Sequence, residues 1–122
     1  MAMNIRILDT PVDPMSSTDK LKVRFRHNDG KDFYKVWLYL DGTDVPFVER
    51  VRYELHPTFA QRIHEVPRSA ANPACALIIY TWGIFTVKAT VTAKTGEQTV
   101  LTHKMSYDKW FSKSGIKFEL DS

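Results

Sequence analysis

The chain predicts an all-β fold, a β-sandwich of about seven to eight antiparallel strands. Two observations carry this. Nearly every segment alternates apolar and polar residues with a period of two, and the segments are punctuated by turn-forming residues. Two half-apolar sheets must hide their inner faces from water, so that pattern points to a sandwich. The 122 residues suit a single domain over 1–122, long enough for a real core without staples.

The expected strands are residues 4–8, 20–27, 33–41, 47–56, 75–81, 83–94 and 97–105. In 47–56, Val51, Tyr53 and Leu55 share one face while Arg50, Arg52 and Glu54 share the other. Between strands, "NDG" at 28–30 and "DGTD" at 41–44 supply residues that accept positive φ, and "KTGE" at 94–97 suits a short hairpin loop. Two segments break the pattern. Residues 9–19, rich in Pro, Ser and Asp, read as a loop or edge crossing. Residues 106–114, "SYDKWFSKS", open with Ser106 and predict a short helical turn that tucks Trp110 and Phe111 against the sandwich.

Composition narrows the function. Seventeen Lys and Arg against 14 Asp and Glu give a mild formal charge of +3, mixed in sign along the chain. Nucleic-acid binding usually leaves a clustered basic stripe. The nearest approach, Lys20, Lys22, Arg24 and Arg26, alternates with Leu21, Val23 and Phe25, and so reads as the solvated face of one strand, positive enough to steer an acidic partner. The lone cysteine, Cys75, sits in the apolar run "ACALIIY" and is expected buried, with no disulfide. No Cys/His set has metal-ligand spacing, so no metal or other cofactor is expected. The N-terminal residues lack a signal-peptide core, and no run reaches the roughly 18 apolar residues of a membrane span. An intracellular, unexported protein with no nucleic-acid or membrane partner is the expectation, cytoplasmic in a bacterium and nuclear in a eukaryote.

The informative stretches are "LHPTF" at 55–59 and "YTWGIF" at 80–85. Pro57 ends a strand and leaves His56, Thr58 and Phe59 on a loop. Gly83 weakens a ladder and permits a bulge, while Trp82 beside it is too large for filler. Periodicity alone admits a plainer reading, with Trp82 a core tryptophan and Gly83 a local bend.

A strand ending "LHPTF", followed some twenty residues on by "WGIF" and a further long strand, resembles the YEATS domain. Upstream, "GKDFYKVWLYLDGTD" and "VPFVERVRYELHPTF" are similar to the family's preceding stretches, so the resemblance spans residues 20–105. It implies an immunoglobulin-like sandwich whose loops at one end form an aromatic slot for acetylated or crotonylated lysine. By the same resemblance Phe59 and Trp82 would be the walls, Thr58 the hydroxyl that bonds the acyl amide, and His56 the residue that lines and orients the slot. The Trp82 backbone N–H, in the turn with Gly83, would meet the acyl carbonyl, and Phe33 would stand at the mouth. Two positions depart from the family pattern: Thr81, where Gly is usual, and Ile84, often Glu in nuclear members. A divergent, prokaryotic-type member would look like this.

Two other readings compete. An enzyme would need its histidines, His27, His56, His64 and His103, in a nucleophile elbow or metal spacing, and none is; a meeting of His56 and His64 with Glu65 is the nearest thing. The other alternative is an immunoglobulin-like protein-interaction module without acyl-lysine binding, in which Phe59 and Trp82 merely pack together.

Overall fold

The computed structural model describes residues 3–14 and 22–120. Among the described residues nine strands are formed: β1 (Arg6–Thr10), β2 (Lys22–Asn28), β3 (Lys31–Asp41), β4 (Val48–Glu54), β5 (Ile63–Pro67), β6 (Leu77–Thr81), β7 (Thr86–Ala93), β8 (Gln98–Lys104) and β9 (Lys117–Leu120). Short 3₁₀ turns occupy Val45–Phe47 and Tyr107–Ser112. All seven expected strands are present. β5 and β9 were not expected, and β9 pairs with β2 in parallel, so the strands are not all antiparallel. Residues 15–19 of the expected loop and 20–21 of the expected second strand lie outside the described residues.

Turn chemistry joins the strands as expected. Asp29 (φ 51°) and Gly30 (φ 75°) form a two-residue hairpin loop in which both residues take the left-handed backbone, so β2 and β3 pair from Asn28 and Lys31 onward. At Gly42 (φ 134°) the backbone passes so close to the Asn4 carbonyl that a Cβ has no room.

One five-stranded sheet has the order β1-β3-β2-β9, with β6 also paired to β3; the other runs β5-β4-β7-β8. The chain groups into two compact units: Met1–Leu8, Tyr39–Leu77 and Phe85–Met105 form the first, and Asp9–Leu38, Ile78–Ile84 and Ser106–Ser122 the second.

The four-stranded sheet lies wholly within the first unit. Its buried face follows from alternation: Val51 and Tyr53 of β4 pair with Val91 and Ala89 of β7, and all four are buried. Tyr53 is too polar to bury unpaired, and its hydroxyl donates to the Cys75 carbonyl at 2.7 Å. Cys75 is buried as expected, and burial pushes its thiol up to about 11.

In the second unit, Tyr34 anchors an aromatic cluster, with ring centroids 4.6 Å from Phe111 and 6.2 Å from Phe25. The expected helical turn is present and Phe111 packs as predicted, while Trp110 stays partly exposed beneath Lys113. Ser106 does not cap that turn with its side chain. The cap comes from Asp9, at the end of β1, whose carboxylate accepts the Ser106 and Tyr107 backbone N–H groups at 2.8 and 2.7 Å.

Candidate functional site

The loop after β4 is short and closed, because Leu55 N–H donates to the Arg62 carbonyl at 2.7 Å. Within it, His56 Nδ1 lies 2.9 Å from Thr58 Oγ1 and accepts the Thr58 backbone N–H at 3.2 Å. Both contacts tie Thr58 to the His56 ring, and an Nδ1 that accepts them leaves the Thr58 oxygen able to accept a further hydrogen bond. Phe59 N–H donates to the His56 carbonyl at 3.0 Å, which fixes the next residue too. The Phe59 ring rests on Phe85, 5.4 Å between centroids, and Phe85 also meets His56 at 6.0 Å. His56, Thr58 and Phe59 are therefore gathered as one ordered group, with His56 and Thr58 exposed and Phe59 half-buried.

Trp82, in the second unit, is not a core side chain. It is 58 % exposed on the turn that leaves β6, whereas Trp37 is the buried tryptophan. That turn is held by polar contacts. Thr81 Oγ1 donates to the Gly83 carbonyl at 2.8 Å and accepts the Gly83 N–H at 3.3 Å, while the Tyr107 hydroxyl donates to the same carbonyl at 3.0 Å. Thr81, where the resembled family usually has Gly, thus ties the turn. Gly83 itself needs no glycine backbone: its φ is not positive, and a Cβ there would meet nothing within 4 Å. What Gly83 contributes to the turn is its carbonyl, which accepts from Thr81 and Tyr107. Burial pushes the Tyr107 phenol up to about 12, so it remains a hydrogen-bond donor.

Lys31 Nζ lies 4.3 Å over the Trp82 ring. Phe33 lies half-buried on the side of β3 that also carries Lys31, and among the described residues no ring contact joins it to Trp82. Sequence reasoning missed Lys31, Phe85 and Tyr107. Phe85 was in view as the last residue of "YTWGIF", but nothing local marked Lys31 or Tyr107. On the other side of β3, an open cleft of about 230 Å³ is lined by Phe25, Asp32, Tyr34 and Phe118. Among the described residues no group of three or more Cys, His, Asp or Glu is placed to hold a metal, and no helix is long and apolar enough to cross a membrane.

The profile of the prokaryotic YEATS domain matches residues 34–106, more than half of the chain. The chain belongs to the prokaryotic YEATS family. The match includes His56, Thr58, Phe59, Trp82 and Gly83 and begins one residue after Phe33. Among solved structures, the Yaf9 YEATS domain recognising an H3K122suc peptide superposes with a TM-score of 0.56 at 12% identity, over 90% of this chain and 81% of that one. The fold is accordingly the immunoglobulin-like β-sandwich of YEATS domains, and the chain is a YEATS-type binding module. No curated protein matches the chain.

Proposed function

We propose that this prokaryotic YEATS domain is a non-catalytic reader of acylated lysine that uses Thr58 and Phe59 from the loop after β4 and Trp82 from the turn after β6. The observation that carries the reading is the Thr58 hydroxyl, exposed and held 2.9 Å from His56 Nδ1. Acylation converts a lysine ammonium into a neutral amide whose N–H needs an acceptor, since an unpaired buried amide costs roughly 1–3 kcal/mol. Thr58 offers that acceptor already oriented. The flat acyl group then gains from apolar burial and stacking against aromatic rings, of order a few kcal/mol together.

Charge gives the selectivity. An unmodified lysine would have to shed its water without a carboxylate to meet it. None of His56, Thr58, Phe59, Trp82 and Gly83 is acidic, and the cation at the Trp82 ring, Lys31, repels a second ammonium. The Yaf9 domain's recognition of a modified peptide supports a peptide partner here.

The test is acylated-peptide binding by NMR with Phe59→Ala, Trp82→Ala and Thr58→Val. Each change should weaken binding about tenfold or more while the domain stays folded. Unchanged binding in all three would overturn the reading.

A further inference from the structure

One side of the second unit carries three cations, each laid on an aromatic ring. The Arg26 guanidinium lies 4.0 Å over Tyr80, Lys31 Nζ 4.3 Å over Trp82, and Lys35 Nζ 5.2 Å over Trp37. Strand geometry makes this one surface. Arg26 stands opposite Phe33 across β2 and β3, and Lys31, Phe33, Lys35 and Trp37 are alternate residues of β3.

Basic residues outnumber acids on this side, where Lys22, Arg24, Arg26, Lys31 and Lys35 stand with Glu119. Asp32 alternates onto the opposite side of β3, where it pairs with His27 at 2.9 Å. Glu119 of β9 shares the side but is taken up by Lys22 and Arg24 at 3.2 and 3.9 Å. Among the described residues, neither Asp29 at the hairpin tip nor any other carboxylate forms an ion pair with Arg26, Lys31 or Lys35.

An aromatic quadrupole attracts a cation without neutralising it, so a cation on a ring still attracts an anion. Fixing long side chains on rings also reduces the ordering cost of a later contact. We infer that this surface docks an acidic peptide segment, the sequence around the modified lysine of the target. The link to a modified lysine rests on the function proposed above; the preference for acid does not. Single-stranded nucleic acid fits less well, because successive bases need a row of open rings, and of these three only Trp82 is largely exposed, Tyr80 lying under Arg26 and Trp37 being buried. The sign is opposite to that suited to a basic tail.

The experiment is fluorescence anisotropy with four labelled peptides: acetyl-lysine flanked by Asp and Glu, by Gly and Ser, or by Lys and Arg, and the acidic peptide with unmodified lysine. An unlabelled single-stranded oligonucleotide serves as competitor. The acidic flank should bind about tenfold tighter than the neutral one, with an advantage that shrinks as salt rises. That advantage should vanish in the triple variant Arg26→Gln, Lys31→Gln, Lys35→Gln and persist in Lys31→Arg with Lys35→Arg, all with unchanged circular dichroism. Equal affinity for the three flanks, acid preference surviving the triple variant, or displacement by the oligonucleotide at lower concentration than by acidic peptide would each overturn the inference. Acid preference without any gain from acetylation would uphold it and remove the acyl-lysine reading. Binding of every acetylated peptide regardless of flank would do the reverse.

Discussion

At the residue scale one hydroxyl, that of Thr58, is central to the proposed site. In the proposed site the Thr58 hydroxyl is held by its hydrogen bond to His56 and accepts from the acyl amide, so Thr58→Ser should keep acyl-peptide affinity, and His56→Ala should weaken it through disorder of the hydroxyl, both readable by calorimetric titration. Tyr107 is a second case. Its phenol titrates at about 12 in the folded chain against 10.0 ordinarily, mainly through burial. The folded-state value is raised, so the stability it brings is complete below pH 10.0 and is lost as pH climbs toward about 12. Chemical denaturation across that range should show a decline that flattens in Tyr107→Phe, which itself should cost about 1 kcal/mol at neutral pH through the lost bond to Gly83. Cys75, buried and with its thiol raised to about 11, should react slowly with thiol reagents at pH 8 until the domain is unfolded.

At the scale of elements, two glycines separate structure from site. Gly42→Ala places a Cβ against the Asn4 backbone at positive φ and should cost at least ~2 kcal/mol, whereas Gly83→Ala meets open space and should stay within about 0.5 kcal/mol, both read from denaturation midpoints. The strands legible in the sequence are those with a buried face, such as β4 and β7, where every second residue is apolar. β5 and β9 were not legible. β5 is five residues ending in Pro67, and β9 is four residues all exposed, so neither imprints a burial pattern. Its pairing with β2 is long-range and leaves no local trace. In the site, "LHPTF" was legible because its residues act within one loop. Tyr107's bond to Gly83 spans 24 positions and was not, since sequence proximity carries no sign of it.

For the whole molecule, the family match and the superposition agree on the fold, while 12% identity to the Yaf9 domain leaves room for a different target. The mild charge of +3 understates the asymmetry of one side, where Arg26, Lys31 and Lys35 join Lys22 and Arg24 and the acid Glu119 is taken up by the last two. The most direct measurement is a titration of the domain with one lysine peptide in unmodified, acetylated, crotonylated and trimethylated forms, followed by tryptophan fluorescence and NMR shifts. The account predicts saturable quenching of Trp82 by the two acylated forms alone, with shifts centred on Thr58 and Phe59. Equal response to all four peptides, or shifts that bypass Thr58, Phe59 and Trp82, would contradict it.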